Sequence, residues 1–85
     1  MDILFTGRII RELYELEKDL QNEAYEKINL FKDVTNHKAL KVHKLHGRLK
    51  DWYSFSVNYK YRIVFQYEGK NKVIMLAIGD HDIYK

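Results

Sequence analysis

The residues of this 85-residue chain that could do chemistry fall into three places. The first is His37 to Lys50, which gathers Lys38, Lys41, Lys44, Arg48 and Lys50 with His37, His43 and His46, and contains no acid. Such a run is either a solvated edge guarded by lysines or a rim that binds phosphate. Three imidazoles among five cations exceed what solubility asks for. The second is Arg62, alone within Tyr61-Arg62-Ile63-Val64-Phe65. An arginine is almost never buried unpaired. It therefore either pairs with a carboxylate or faces a cleft, where a guanidinium can bind a phosphate bidentately. The third is the tail Gly79-Asp80-His81-Asp82-Ile83-Tyr84-Lys85. Two flanking carboxylates favour the charged imidazole of His81, which suits proton transfer near neutral pH. The tail is either frayed, as termini often are, or anchored by Ile83 and Tyr84.

Several chemistries are excluded. The chain has no Cys, so it carries no disulfide, thiol nucleophile or thiolate metal site. The one candidate metal set is His43-x-x-His46 with His81 and its aspartates. Residues three apart on a strand point to opposite faces, so that set does not converge unless the chain bends, and no metal is expected. There is no Ser-His-Asp relay, nucleophile elbow or glycine-rich phosphate loop, and no cofactor is implied.

The length allows one domain, residues 1–85, and excludes a two-domain enzyme with a cofactor-binding half. At 46% hydrophobic and 14% aromatic the chain is too apolar to be disordered. No apolar run is long enough for a membrane span or signal peptide, which leaves a cytoplasmic domain. The net charge of +3 is unevenly placed. Residues 1–40 carry six Lys/Arg against eight Asp/Glu, whereas residues 41–85 carry nine against four. An acidic half and a basic half suggest two surfaces with different partners.

The elements that must position these residues follow from periodicity. Asp2-Ile3-Leu4-Phe5 reads as a short strand, and Thr6 as a helix N-cap. Ile9, Leu13, Leu16 and Leu20 recur at helical spacing. Asp19 is placed to cap a second helix, with Ala24, Ile28 and Phe31 as its apolar stripe. The break is expected near Lys18, although no Gly or Pro enforces it. Lys41 to Leu45 alternates like a strand and runs into His46-Gly47. In Trp52 to Val57, Tyr53, Phe55 and Val57 take one face and Trp52, Ser54 and Ser56 the other. After the connection Asn58-Tyr59-Lys60, Tyr61, Ile63, Phe65 and Tyr67 share a face. Glu68-Gly69-Lys70-Asn71 is a hairpin turn, followed by the strand Lys72 to Ile78. The remaining aromatics, Tyr14, Tyr25 and Tyr59 among them, are expected in or against the core. The fold class is α+β: an N-terminal strand, two helices, then a three- to four-stranded antiparallel sheet on which the helices pack.

Four ordered stretches carry a resemblance. Lys41-Val42-His43-Lys44-Leu45-His46-Gly47, Trp52-Tyr53-Ser54-Phe55-Ser56-Val57, Tyr61-Arg62-Ile63-Val64-Phe65 and Gly79-Asp80-His81-Asp82-Ile83-Tyr84 together resemble the RelE/ParE superfamily of bacterial toxins. The Lys-x-His-x-Leu-x-Gly and aromatic-Ser-x-x-Val pieces are similar to its HigB-like branch. The motifs cover about half of the chain, and the strand-helix-helix-sheet order fits the remainder. The resemblance implies a RelE-like fold and the toxin of a type II toxin-antitoxin system, an mRNA interferase cutting messages in the ribosomal A site. It assigns Arg62 to the scissile phosphate, His81 to the general acid and Tyr84 to orienting or stacking on the RNA. Substrate binding falls to Lys41, His43, Lys44, His46, Arg48 and Lys50.

Ser54 and Ser56 stand where well-known RelE members carry lysines, which leaves the general base open: His46 first, then His43, then Lys44. The implied reaction is metal-independent attack of a ribose 2′-OH on its own phosphodiester. A cognate antitoxin is the implied protein partner, with mRNA and the ribosome as substrate and stage. Operator DNA is implied only through the antitoxin complex, and no membrane is involved. ParE-type relatives act on DNA gyrase, and a His and a Tyr in the tail point to the ribonuclease side. A nucleic-acid-binding module without catalysis, or a member that binds only its antitoxin, remain the non-enzymatic readings.

Overall fold

A computed structural model of the chain describes residues 1–47 and 51–80. The expected site residues Arg48, Lys50, His81 and Tyr84, and Asp82 and Ile83 beside them, lie outside the described residues. The elements run β1 (Asp2–Phe5), α1 (Gly7–Glu15), α2 (Lys18–Phe31), a 3-10 turn (Val34–Asn36), β2 (His43–Lys44), β3 (Tyr53–Ser56), β4 (Tyr61–Tyr67) and β5 (Lys72–Asp80). They form one five-stranded sheet in the order β1-β5-β4-β3-β2. The four strands after the helices pair antiparallel, as the pattern predicts. The N-terminal strand joins them parallel to β5 and makes the sheet mixed.

Thr6 starts α1 as expected, its hydroxyl accepting the N–H of Ile9 at 3.1 Å. The same hydroxyl donates to the Leu76 carbonyl at 3.0 Å, so one side chain begins a helix and ties it to β5. α1 ends where Leu16 turns extended, and α2 is capped by Glu17, whose carboxylate accepts the N–H of Leu20 at 2.9 Å. Asp19 is therefore not the cap. It sits in the first turn, where a negative charge meets the positive end of the helix dipole. Gln21 Nε2 donates to the Leu13 carbonyl at 2.9 Å and satisfies one of the acceptors left open at the end of α1.

The core lies between the helices and one face of the sheet. Ile9 and Leu13 of α1 and Ala24, Ile28 and Phe31 of α2 pack on Phe55, Ile63, Phe65, Val73 and Met75. Phe31 is its centre, stacked on Phe55 at 4.7 Å and edge-on to Phe65 at 4.8 Å. Two expectations change. β2 spans His43–Lys44 alone, because Lys41 adopts a left-handed φ of 60° that takes it out of any strand. Tyr14 and Tyr59, at 81% and 90% exposure, are surface residues, and Tyr25 is half exposed. The sheet is also covered on its second face, where Leu45, Ser54, Val64 and Ala77 are buried outside the main core.

β5 carries an irregularity that matters for its far end. Phe65 pairs with Met75 but Val64 pairs with Ala77, so Leu76 is an extra residue in the ladder. Helix α1 satisfies the backbone there. Besides Thr6 on the Leu76 carbonyl, Glu12 accepts the N–H of Ile78 at 3.0 Å and the Arg8 guanidinium at 3.1 Å.

Candidate functional site

Strand register decides which candidate residues meet. Directly opposed residues point to the same face of a sheet. His43 pairs with Ser54 and Ser54 with Val64; one step along, Ser56 pairs with Arg62 and Arg62 with Gly79. His43, Ser54, Ser56 and Arg62 therefore share the face turned away from the helices. His43 and Arg62 lie on strands flanking β3, displaced by two residues, which sets their Cα atoms about 12 Å apart. That gap suits two long side chains converging on a phosphodiester.

Arg62 is half exposed and forms no ion pair among the described residues. Its Nη1 donates to the carbonyls of Asn58, at 2.8 Å, and Tyr61, at 3.3 Å. Among the described residues its partners are backbone carbonyls, and no carboxylate pairs with it. The attachment fixes the guanidinium, and among the described residues nothing neutralises it or engages Nε and Nη2, the edge that can bind an anion.

The imidazoles of the basic segment divide into distinct roles. His37 stacks on Phe31 at 4.4 Å and its Nε2 donates to the Phe31 carbonyl at 2.8 Å, so it is a wall of the core. His43 is exposed, and its Nδ1 lies 2.8 Å from the Lys41 carbonyl. A carbonyl can only accept, so Nδ1 carries the hydrogen and Nε2 is the ring nitrogen turned to a substrate. His46 is exposed beyond the end of β2 and makes no side-chain hydrogen bond among the described residues. The left-handed backbone of Lys41 is held by its N–H on the Lys38 carbonyl at 3.1 Å. Backbone strain of this kind is kept where surrounding contacts over-determine it, and here the strained carbonyl orients His43.

The other candidates are dispersed. Lys44 is exposed and pairs with Tyr53, whose ring packs on the core, so it projects on the helix side of the edge strand, away from His43. Ser54 is fully buried and its hydroxyl has no hydrogen-bond partner among the described residues, whereas Ser56 is half buried. Among the described residues, no three His, Cys, Asp or Glu side chains come close enough to hold a metal ion. No helix among them is long and apolar enough to cross a membrane. Sequence reasoning missed Lys27 and Tyr59, which border the site near Arg62. The available signal was a tyrosine between Asn58 and Lys60 in a turn, where no core needs it.

Residues 8–81 match the family model described as HigB-like toxin, a RelE-like toxin of the type II toxin-antitoxin system HigB. Several solved structures are similar in fold. The RelBE2 toxin-antitoxin complex from Mycobacterium tuberculosis aligns with TM-score 0.73 at 19% identity, over 93% of this chain and 95% of that one. The YoeB-YefM complex from Staphylococcus aureus gives TM-score 0.73 at 18% identity, over 95% and 97%. YafQ from E. coli strain BL21(DE3) gives 0.72 at 17% identity, over 98% and 96%. No curated protein matches the sequence.

Proposed function

Since the chain belongs to the HigB-like family of RelE-type toxins of type II toxin-antitoxin systems, we propose that it is an endoribonuclease that cuts mRNA on the ribosome. The carrying observation is the shared sheet face of His43 and Arg62, with the imidazole anchored through Nδ1 on one side and, on the other, a guanidinium that no carboxylate among the described residues neutralises. The family membership and the fold shared with RelE, YoeB and YafQ support the same reading.

In this mechanism His43 Nε2 removes the proton of a ribose 2′-OH. The 2′-oxygen bonds to the adjacent phosphorus, the bond from phosphorus to the 5′-oxygen breaks, and a general acid protonates that oxygen. The products are a 2′,3′-cyclic phosphate and a free 5′-hydroxyl. Arg62 stabilises the charge that builds on the phosphoryl oxygens, where one well-placed donor is worth about 3 kcal/mol. His81 between its aspartates is the acid, and Tyr84 positions a base by stacking; both roles are those the family resemblance implies. Of the two bases favoured by sequence, His46 and His43, the anchored tautomer supports His43. Lys41, Arg48 and Lys50 contribute positive charge along the substrate.

A single domain of this size has little surface for orienting a message by itself, and presentation by the ribosome supplies that orientation. The proposed setting is therefore the cytoplasm. Silencing falls to a cognate antitoxin, a partner supported by the toxin-antitoxin complexes among the similar structures. Operator DNA is bound only through that complex.

Primer extension on transcripts after induction is the direct test. The expected result is cleavage within messages, abolished by Arg62→Ala and by His81→Ala in proteins that still fold. Intact messages together with double-strand breaks and an SOS response would assign the chain to gyrase instead.

A further inference from the structure

A cleft of about 390 Å³ opens between α2, the turn before β2 and the β3–β4 connection. Three cations from three separate elements line it: Lys27 of α2, Lys41 in its left-handed turn, and Arg62 of β4. Among the described residues Glu23 is the one acid in the lining, and it accepts the Asn58 side-chain amide at 2.8 Å. The Lys27 ammonium makes only a loose 3.8 Å contact with exposed Glu26. Tyr59 stands at the rim with 90% of its surface open. Asn58 holds this rim in shape, because its side-chain oxygen accepts the N–H groups of Lys60 and Tyr61 at 2.9 and 2.7 Å.

We propose that this cleft is a nucleotide subsite, which takes the phosphate next to the scissile one on Lys27 and Lys41 and stacks that nucleotide's base on Tyr59. The proposal rests on the ribonuclease reading, and it extends the site from the outer sheet face over the end of the sheet towards α2. Arg62 joins the two parts. Its Nη1 is fixed on the carbonyls of Asn58 and Tyr61, so a strand engaging the rest of the guanidinium is led directly into the cleft. An acidic peptide would also satisfy the lysines. An isolated, fully presented aromatic ring beside them favours a nucleic-acid strand, because every base offers a π-face.

The probe is a short 2′-O-methylated oligoribonucleotide, which lacks the nucleophile and is bound without being cut. Its affinity for the purified toxin is measured by fluorescence anisotropy across a salt series. Lys27→Ala is expected to weaken binding and to reduce the log–log salt slope by about 0.7, the value of one phosphate contact to a single strand. Lys27→Arg keeps the slope. Tyr59→Ala is expected to lose roughly 5- to 150-fold in affinity, the range of one base–aromatic stack, and Tyr59→Phe to retain it. Lys32→Ala, at the C-cap of α2 and outside the cleft lining, serves as the surface control. Wild-type affinity and slope in both alanine variants overturn the subsite, and so does an effect confined to binding of an acidic peptide. The two readings fail separately. Messages cut normally while Lys27 and Tyr59 are indifferent to RNA sink the subsite alone. Messages left whole, with the Lys27 and Tyr59 effects present, sink the nuclease and leave an RNA-binding cleft.

Discussion

His37, His43 and His46 share one basic run, and their surroundings divide them: one ring packs on Phe31, one is anchored by a strained carbonyl, and one stands in solvent. Composition counts the three alike, which is why the sequence leaves the general base open. The anchoring predicts that His43→Ala lowers single-turnover cleavage by about 10²- to 10⁴-fold, the ordinary worth of a positioned base. His46→Ala is expected to stay within roughly tenfold of the parent, as for a residue contributing charge alone. Equal losses in the two variants would return the assignment to the segment as a whole. Ser54 presents the opposite case. The resemblance sets it where RelE members carry lysine, yet it is buried and its hydroxyl has no partner among the described residues, so its side chain is shut away from any substrate. Such a group costs stability. Ser54→Ala is expected to raise the urea midpoint, by about 1 kcal/mol of stability, with cleavage unchanged. A loss of cleavage in that variant would mean that Ser54 reaches the RNA.

At the scale of elements, the periodic stripes were readable because they report one simple fact, which side faces the core. The Ala24, Ile28 and Phe31 stripe and the Thr6 cap stand as read, while the stripe Ile9, Leu13, Leu16 and Leu20 divides, with the first two buried on α1, Leu16 ending that helix and Leu20 falling on α2. What escaped depends on partners distant in sequence. The shortening of β2 follows from a φ of 60° at Lys41, a non-glycine residue that local rules place in a strand. The extra residue at Leu76 is tolerated only because Thr6 and Glu12, some 65 to 70 positions away, bond to the displaced backbone. Glu12→Ala is therefore expected to cost about 1–3 kcal/mol, the penalty of leaving the Ile78 N–H without an acceptor. Hydrogen exchange should locate the loosening in β5 from Ile78 onward, next to the tail that carries His81; uniform loosening of the whole sheet would contradict it. A second element effect is pH-dependent. Asp33 caps the 3-10 turn through the hydroxyl and N–H of Thr35, and these bonds hold its carboxyl below the ordinary value. A lowered carboxyl pKa stabilises the fold above the unfolded value and is lost as pH falls below about 4. Asp33→Ala is thus expected to flatten the acid limb of the stability curve and lower the neutral plateau. An acid limb identical to that of the parent would remove the cap from the account.

Over the whole molecule, a net +3 conceals an acidic N-terminal half and a basic C-terminal half. The fold makes this a spatial division, with both helices in one half and four of the five strands in the other. A molecule so divided is steered by its basic half towards any acidic partner, and RNA and antitoxin then compete for the same charge. An antitoxin that silences by occupancy has to cover Lys41, His43 and Arg62. Two measurements separate occupancy from control through the helical half. The first is association kinetics of the purified toxin with its antitoxin. Charge reversal at Lys41 and Lys44 is expected to lower the on-rate and flatten its salt dependence, since rim charges act mainly on encounter. Reversal at Glu15 and Glu26, exposed on the helices, is expected to leave the rate within about twofold, as for charges outside the contact. The second is competition: the uncleavable oligoribonucleotide should be excluded from the toxin-antitoxin complex and regain binding when the antitoxin is removed. A complex that forms at full rate with the reversed rim, and still binds the oligonucleotide, would place the antitoxin on the helices and make silencing a matter of distortion.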